Sequence, residues 1–370
     1  MRVIIAGGGT AGHINPGLAI AKYIKQKAPD SEIIFIGTQK GLETKLVPRE
    51  GFELKLITVR GFKRKLSLDT FVAFKEMFQG VFEARRIIKQ FKPDIVIGTG
   101  GYVCGPVLFM AARLKIPTLI HEQNAFPGVT NKLLSRFVDI VAISFKEAKK
   151  YFKNEKKIIL TGNPVRNEIV EADRASGRTK MGISPDKQLV VVVGGSRGAG
   201  NINTAVVEML KKYYSNGEFN IVFATGEAQF DKLKADANGI DENFVKIVPY
   251  IYDAADVYSA ADLIVCRGGA ITMSEITALG LPAVIIPSPF VTANHQEYNA
   301  RALESQGAAV VILEKDLNPD ILYNQIKDLL KDKDQLARMS RNSRKMGILD
   351  ASEKIFSVVK ELERSSRKNK

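Results

Sequence analysis

Short runs of β-branched and other apolar residues alternate with longer segments of helical periodicity along the chain. This alternation is typical of parallel sheets flanked by helices. A run without polar residues, such as 190–193 (VVVV), predicts a strand that is buried on both faces. The predicted strands are 3–6, 33–36, 94–98, 118–121, 140–143, 158–161, 189–193, 220–224, 245–248, 263–266, 283–286 and 309–312.

The two halves of the chain begin alike. Residues 3–12 (VIIAGGGTAG) predict a strand, a glycine-rich turn and the start of a helix, and residues 190–200 (VVVVGGSRGAG) repeat that order. Two Rossmann-like units in tandem explain the similarity. The sequence therefore predicts domains at 1–163 and 164–351, followed by a helix over about 352–370.

A predicted helix at about 67–91 is apolar over a wide arc. Spacings of three and four define a core-facing stripe of Met77, Val81, Ala84, Ile88 and Phe91. A second stripe contains Phe71, Phe74, Phe78 and Phe82, and it is rimmed by Lys75, Arg85, Arg86 and Lys89. Two interpretations fit equally well: a helix buried on both sides, or one that lies in a membrane interface.

Charge is distributed unevenly over the 370 residues. The chain has 54 basic and 40 acidic residues, a net charge of +14, and residues 1–163 alone hold 27 basic and 13 acidic residues. The first half therefore carries the whole surplus, which indicates an anionic membrane or nucleic acid as its partner. Binding to nucleic acid is the weaker alternative, because no recognised nucleic-acid-binding module accompanies the charge.

Cysteine use and hydropathy restrict the compartment. Cys104 and Cys266 form no CxxC spacing, which argues against a disulfide framework or thiolate metal site and favours a reducing cytosol. Glycine and proline interrupt the two long uncharged stretches, 95–112 and 276–294. We expect neither a membrane-spanning helix nor a signal peptide.

The first glycine turn, Gly7-x-Gly9-x-x-Gly12, matches the dinucleotide-binding pattern. Glycine lets the backbone approach a phosphate, and the helix N-terminus supplies N–H donors. An NAD site also needs a carboxylate at the end of the second strand, where this sequence has Thr38 and Gln39. The residues favour a phosphate or diphosphate site over NAD, and a purely structural tight turn stays open.

Two further strand-to-helix junctions could hold phosphate. One is 194–198 (GGSRG), and the other is 266–275 (CRGGAITMSE), where Glu275 could reach a pair of ribose or sugar hydroxyls. The structural alternative for Glu275 is a carboxylate favoured by the helix dipole. The amide-rich segment 289–299 suits sugar hydroxyls.

The chain has three histidines outside apolar stripes: His13, His121 and His295. His13 follows the first glycine turn, where it could take a proton from a hydroxyl nucleophile or serve only as a hydrogen bonder at the helix start. His121 and Glu122 are neighbours on a strand and point to opposite faces, which favours ligand or local backbone bonds over a metal. Residues 332–334 (DKD) are expected on a solvated helical face within 329–336 rather than at a metal.

Seven motifs occur in order along nearly the whole chain: 8–13 (GGTAGH), 100–106 (GGYVCGP), 121–124 (HEQN), 162–166 (GNPVR), 194–196 (GGS), 270–275 (AITMSE) and 295–296 (HQ). Together they resemble the MurG family of N-acetylglucosaminyl transferases. The resemblance implies a GT-B fold, in which two Rossmann-like α/β domains place parallel sheets across a cleft. The first domain would bind acceptor and membrane, with the C-terminal helix packed back on it, and the second would bind the UDP-sugar donor.

The resemblance also implies the reaction. N-acetylglucosamine would pass with inversion from UDP-N-acetylglucosamine to the C4 hydroxyl of the muramyl sugar of lipid I, giving lipid II for peptidoglycan synthesis. The implied partners are these two substrates and an anionic membrane surface but no nucleic acid, and the implied location is peripheral, on the cytoplasmic face of the cell membrane. No cofactor or metal is expected, because Arg267 and helix N-termini can neutralise the leaving diphosphate.

Position by position, the resemblance assigns the general base to His13. The acceptor diphosphate would contact Gly100, Gly101, Tyr102 and Gly105. The donor would contact Thr10, Ala11, Gly12, Asn124, Arg166, Ser196, Ile251, Ala270, Ile271, Thr272, Met273, Ser274, Glu275 and Gln296. Arg166 and Ser196 would face phosphate, Glu275 the ribose, Gln296 the sugar, and the backbone of Ile251 the uracil.

Two positions depart from the family pattern: Ala11 stands where glycine is common, and Cys104 where serine is common. The alternatives within the fold are a glycosyltransferase that acts on diacylglycerol and a UDP-sugar epimerase. The alternative outside enzymes is a basic nucleic-acid-binding protein.

Overall fold

The computed structural model describes residues 1–61, 68–184, 186–194, 199–213 and 217–368. Backbone contacts divide the chain into two units. Unit 1 comprises Met1–Pro164 with Asp350–Lys370, and unit 2 comprises Val165–Leu349. Each unit is built around one parallel sheet, of seven strands in unit 1 and six in unit 2.

The strands of unit 1 are β1 (Arg2–Ala6), β2 (Glu32–Gly37), β3 (Glu53–Leu56), β4 (Ile95–Gly98), β5 (Thr118–Glu122), β6 (Ile140–Ile143) and β7 (Ile158–Leu160). Their order across the sheet is β3-β2-β1-β4-β5-β6-β7. The sequence pattern did not predict β3. This strand lies at the sheet edge beside β2 and is mostly exposed, so its four residues lack the apolar run that identified the others.

Helices cover both faces of this sheet: α1 (Ala11–Lys27), α2 (Glu43–Arg49), α3 (Leu68–Phe91), α4 (Cys104–Arg113) and α5 (Val129–Leu134). Successive strand residues point to opposite faces. Ile4 of β1 therefore packs in the core under α3, α4 and α5, whereas Val3 and Ile5 pack in the core under α1 and α2.

The long helix α3 has one buried and one exposed apolar face. Ala84 and Ile88 of the predicted core stripe are buried. Phe74, Phe78 and Phe82 are instead 48%, 60% and 68% exposed. The interpretation of α3 as a helix buried on both sides is therefore wrong, while the side chain of the fourth aromatic residue in that stripe, Phe71, lies outside the described part.

The strands of unit 2 are β8 (Leu189–Val193), β9 (Asn220–Ala224), β10 (Val245–Val248), β11 (Leu263–Cys266), β12 (Ala283–Ile285) and β13 (Ala309–Val311). Their order, β10-β9-β8-β11-β12-β13, repeats that of the first six strands of unit 1. The same topology accounts for the similar starts of the two halves, because β1 and β8 are both the first strand of a Rossmann-like sheet.

The helices of unit 2 are α6 (Asn167–Val170), α7 (Arg174–Met181), α8 (Gly200–Tyr213), α9 (Phe230–Asp236), α10 (Ala254–Ala260), α11 (Ala270–Leu279), α12 (His295–Ser305), α13 (Pro319–Lys331) and α14 (Lys333–Met346). The prediction of one helical stretch at 329–336 is wrong. Asp332 separates two helices and caps α14, since its Oδ1 accepts a hydrogen bond from the backbone N–H of Gln335 at 2.8 Å.

The last helix, α15 (Ala351–Lys368), belongs to unit 1 although it follows unit 2 in sequence. It packs against α1, and Ile355, Val358 and Val359 are buried in the core beneath that helix. Unit 1 is therefore built from two segments of the chain, one before and one after unit 2 in the sequence.

Candidate functional site

Both glycine turns of unit 1 lie at the carboxyl ends of adjacent strands. One joins β1 to α1, and the other joins β4 to α4. The order of the sheet reverses between β1 and β4, which is where open α/β sheets bind ligands. The turns also touch: the N–H of Gly8 donates to the carbonyl of Gly100 at 3.4 Å, and a β-carbon on Gly101 would collide with the Gly8 carbonyl. The N-termini of α1 and α4 therefore lie side by side.

A buried carboxylate that the sequence analysis missed holds the first turn. Glu43 is fully buried, and its two oxygens accept hydrogen bonds from the N–H of Gly9 at 3.0 Å and from the N–H and hydroxyl of Thr38, each at 2.9 Å. This carboxylate comes from the start of α2, and its hydrogen bonds are to Gly9 and Thr38 of the protein itself. A glutamate at a helix start is common, so nothing local in the sequence distinguished it.

His13 is the third residue of α1 and is partly exposed at this edge of the sheet. Its Nδ1 lies 3.2 Å from Oε1 of Gln123, and its backbone carbonyl accepts from the Thr99 hydroxyl at 2.7 Å. Gly100, with φ of +110°, lies against the ring, and a β-carbon there would be 2.5 Å from Nδ1. The imidazole therefore lies between the side-chain amide of Gln123 and the backbone of Gly100.

The HEQN segment forms internal bonds. His121 belongs to β5 and is fully buried, with Nε2 2.9 Å from the Gly162 carbonyl. Burial lowers the pKa of His121 and so favours its neutral form. Glu122 is also buried and accepts from the backbone N–H groups of Asn124 and Gly128, each at 3.0 Å. Local bonding, one of the two alternatives to a metal, is thus the arrangement in the structure.

The thiol of Cys104 holds the second glycine turn through hydrogen bonds to backbone groups. Its Sγ lies 3.1 Å from the carbonyls of Ala6 and Gly100 and from the N–H of Gly100. Burial raises the pKa of this thiol to about 12, so it remains neutral and can donate its proton to a carbonyl. The thiol therefore does the work that a serine hydroxyl could do at this position.

In unit 2 the turn after β11 leads directly into α11, whose first six residues are the predicted donor contacts 270–275. The start of α12 packs on this turn. A β-carbon on Gly268 would collide with the backbone carbonyl of Gln296, and the buried Asn299 amide donates to the Gly268 carbonyl at 3.0 Å. Gln296 and the N-terminus of α11 are thus neighbours, as their common assignment to the donor requires.

Arg166 and Glu275 form an ion pair. Nε and Nη2 of Arg166 donate to Oε1 of Glu275 at 3.1 Å and 2.9 Å, and the Glu275 side chain is only 9% exposed. Burial raises the pKa of Glu275, and the guanidinium opposes that shift without cancelling it. The two side chains expected at the phosphate and the ribose are therefore in direct contact.

Arg267 does not provide the free cation that the sequence analysis expected. Its guanidinium pairs with Glu314 and also donates to the carbonyl of Ile286 at 3.1 Å. Both members of the pair are largely buried. Among the predicted cations near the α11 turn, Arg166 is the more exposed one.

The remaining predicted residues divide between the units. Thr10 caps α1, and Ala11 and Gly12 are its first two residues. Ile251 is buried in the loop between β10 and α10, and Ser196 lies outside the described residues. Within the described ranges no three His, Cys, Asp or Glu side chains are grouped as a metal site, and none of the helices described there has the length and apolarity needed to cross a bilayer.

Comparisons with known proteins agree with this architecture. Residues 3–143 match the model of the glycosyltransferase family 28 N-terminal domain, and residues 189–355 match that of the C-terminal domain. A relative from Acetivibrio thermocellus is 62% identical over 98% of both chains, and one from Ruminiclostridium cellulolyticum is 61% identical over 98% of this chain and 100% of that one. Both are named UDP-N-acetylglucosamine--N-acetylmuramyl-(pentapeptide) pyrophosphoryl-undecaprenol N-acetylglucosamine transferase.

Among solved structures, MurG of Acinetobacter baumannii is 31% identical with a TM-score of 0.81, over 97% of this chain and 99% of that one. A UDP-GlcNAc 2-epimerase from Neisseria meningitidis is 16% identical with a TM-score of 0.66, over 98% of this chain and 100% of that one, and shares the fold alone. Two Rossmann-like units with these matches define a GT-B glycosyltransferase. The chain belongs to glycosyltransferase family 28 and, within it, to the MurG family.

Proposed function

We propose that this protein transfers N-acetylglucosamine from UDP-N-acetylglucosamine to the C4 hydroxyl of the muramyl sugar of lipid I and so forms lipid II. The observation that carries this function is the 62% identity, over 98% of both chains, to a transferase of that name. The fold alone does not separate a transferase from an epimerase, since an epimerase shares it at 16% identity.

In the proposed reaction the C4 hydroxyl oxygen attacks C1 of N-acetylglucosamine from the face opposite the diphosphate. A C1–O bond forms, the bond from C1 to the diphosphate oxygen breaks, and UDP leaves with the electron pair. His13 takes the hydroxyl proton on Nε2, the ring nitrogen that does not face Gln123. The position of His13 beside the two glycine turns supports this role.

The acceptor diphosphate is assigned to the paired turns at β1 and β4. Glycine lets the backbone come close to a ligand there, and the N-termini of α1 and α4 favour negative charge. Gly100, Gly101, Tyr102 and Gly105 are the proposed contacts.

The donor is assigned mainly to unit 2. The N-terminus of α11 and the guanidinium of Arg166 would stabilise the UDP diphosphate, and Glu275 would accept hydrogen bonds from the ribose. Gln296 would contact the sugar and the Ile251 backbone the uracil. Thr10, Ala11, Gly12, Asn124 and Ser196 complete the proposed donor contacts. UDP binding therefore requires Arg166 and Glu275 to share their ion pair with the ligand.

Unit 1 is proposed to dock peripherally on the cytoplasmic face of the cell membrane. The adjacent helices α3, α4 and α5 lie on one face of its sheet, and exposed apolar side chains project from α3 and α5, including Phe82 at 68% and Val129 at 65% exposure. Lys75, Arg85, Arg86 and Lys89 of α3 are exposed beside them. Apolar insertion combined with basic residues is the composition expected of an interfacial surface.

The test is an assay of UDP release with lipid I and, separately, with diacylglycerol as acceptor. Release with lipid I is the expected result, and release with diacylglycerol alone would contradict the proposal. Formation of an epimeric UDP-sugar without acceptor would favour the epimerase.

His13→Ala tests the proposed base. We expect turnover to fall about 10²- to 10⁴-fold, the usual contribution of general base catalysis, while calorimetry gives unchanged UDP affinity. Near-normal turnover in this variant would remove His13 from the mechanism without affecting the assignment of the reaction.

A further inference from the structure

We infer that Gln123 is a positioning residue that fixes the tautomer of His13, so that the neutral imidazole carries its proton on Nδ1 and presents a bare Nε2 to the acceptor hydroxyl. The inference rests on the proposed role of His13 as general base. It concerns a residue that contacts no reacting atom and acts only through the histidine.

The orientation of the Gln123 amide is determined by its buried surroundings. Gln123 is 2% exposed, and its Nε2 lies 2.9 Å from the Thr99 carbonyl and 3.0 Å from the His121 carbonyl. Carbonyl oxygens only accept hydrogen bonds, so the NH₂ group must face them. The reversed amide would set its own oxygen against both carbonyl oxygens, an unfavourable contact between acceptors.

This orientation sets Oε1 of Gln123 toward His13. The oxygen is 3.2 Å from Nδ1 and can only accept, so Nδ1 must be the protonated nitrogen. A neutral imidazole holds one ring proton, and Nε2 therefore keeps its lone pair. Gly100 lies against the ring near Nδ1 and restricts its rotation away from Gln123.

His121 supports the amide from the other side. Its Nε2 lies 2.9 Å from the Gly162 carbonyl and must donate there, and burial lowers the pKa of His121, which favours the neutral form. Its Nδ1 is consequently an acceptor and lies 3.0 Å from Nε2 of Gln123, whose two protons are shared among this nitrogen and the two carbonyls. The direction of every bond from Gly162 through His121 and Gln123 to His13 is thus set by backbone carbonyls.

The arrangement suits proton transfer. When Nε2 takes the proton from the hydroxyl, the imidazolium carries a proton on both nitrogens, and Oε1 of Gln123 accepts from Nδ1 before and after the step. No group has to turn during the reaction. Orienting the base through a hydrogen bond to its second nitrogen is a general device of histidine catalysis.

The direct test is ¹⁵N NMR of the histidine side chains in the unmodified protein. Only three histidines contribute, and His13→Gln identifies the signals of His13. We expect the two-bond correlations of neutral His13 to report the Nδ1–H tautomer, and an Nε2–H tautomer would overturn the inference whatever any variant does.

The kinetic test is Gln123→Met, which keeps the side-chain length and removes the amide. We expect kcat to fall about tenfold or more, KM for both substrates to change less than twofold, and the His13 spectrum to lose its Nδ1–H preference. Thr118→Val is the matched control. Thr118 is also buried and hydrogen-bonded, but it begins β5, whereas Gln123 follows the end of that strand, and its hydroxyl donates to Asp139 at 2.7 Å.

The outcomes separate the inference from the proposed function. If His13→Ala abolishes turnover while Gln123→Met keeps normal kcat, the inference is wrong and the base assignment stands. If His13→Ala is active, the base assignment fails whatever the tautomer. Equal losses of kcat in Gln123→Met and Thr118→Val would also contradict a positioning role.

Discussion

Glu43 is a single carboxylate on which the geometry of the first glycine turn depends. It is fully buried, forms no ion pair within the described residues, and accepts three hydrogen bonds from Gly9 and Thr38. A carboxylate that only accepts is the side chain that such a set of donors needs. The turn between β1 and α1 is therefore held by a side chain of α2.

Glu43→Gln should destabilise unit 1 and slow turnover. One end of the new amide would present N–H to the N–H of Gly9 or Thr38, and an unsatisfied buried group costs about 1–3 kcal/mol. Urea unfolding followed in parallel with UDP release measures both effects. Glu50→Gln, at the exposed end of the same helix, is the control, since its ion pair with Lys22 is a surface pair worth about 0–1 kcal/mol. Equal losses in the two variants would contradict the role given to Glu43.

Glu275 should make UDP binding depend on pH. Burial raises the pKa of Glu275 above its ordinary value of 4.5, and the proposed hydrogen bonds from the ribose use the carboxylate form as acceptor. As pH is lowered, UDP affinity should therefore begin to fall at a higher pH than it would if Glu275 had the pKa of an ordinary carboxyl group. Calorimetric titration of wild type and Glu275→Gln measures this, and the variant should bind weakly with a flatter profile.

The stability of unit 2 should depend on pH through Glu275 in the direction opposite to UDP affinity. Because its folded pKa lies above the unfolded one, the folded state binds the extra proton, and the stability contributed by this group is present at low pH and lost as pH rises through the folded pKa. Denaturation of the ligand-free protein at a series of pH values would detect it. Parallel loss of stability and UDP affinity on acidification would indicate unfolding rather than titration of the site.

At the scale of the element, α3 has two apolar stripes that differ in exposure. Its buried stripe, which includes Ala84 and Ile88, anchors it to the sheet, and its second stripe leaves Phe78 and Phe82 more than half exposed. Large aromatic side chains grouped on an exposed surface are typical of a surface that binds a partner or a membrane.

Phe78→Ser with Phe82→Ser should weaken binding to anionic vesicles at least about tenfold, because each inserted aromatic side chain contributes about 1.5–3 kcal/mol. Turnover should fall on lipid I in vesicles but not on a water-soluble acceptor analogue. Ile321→Ser, which removes an exposed apolar residue of unit 2, is the control for vesicle binding. Unchanged vesicle binding in the double variant would remove α3 from the docking surface.

At the scale of the whole molecule, the division of charge follows the division into units. Unit 1 holds 33 basic and 17 acidic residues, a net charge of +16, and unit 2 holds 21 basic and 23 acidic residues, a net charge of −2. The C-terminal segment adds to the positive charge of unit 1 when it returns there as α15. We expect docking on anionic vesicles to weaken as salt is added, since exposed charges are screened within about 10 Å at 0.1 M.

Deletion of residues 351–370 should prevent stable folding of unit 1. The deletion removes Ile355, Val358 and Val359 from its core, a loss on the order of 5 kcal/mol, which is comparable to the stability of a whole domain. Thermal unfolding and soluble yield measure the effect. Lys354→Ala, on the exposed side of α15, should change neither, and a stable truncated protein would show that α15 is dispensable.

The sequence by itself determined the parallel α/β architecture and twelve of the thirteen strands found in the described residues, because strands buried on both faces must be continuously apolar and glycine turns separate them from helices. It also determined the family, since the ordered motifs are local in the chain. Only β3 escaped, because a short exposed edge strand carries no such pattern.

Tertiary structure alone decided which groups meet. Glu43 reaches Gly9 across 34 residues, Gln123 reaches His13 across 110, and Arg166 pairs with Glu275 across 109. It also decided that the second stripe of α3 is exposed and that Arg267 is already paired. A side chain's partners depend on the burial and direction of groups distant in sequence, whereas periodicity and turn residues report only on neighbours along the chain.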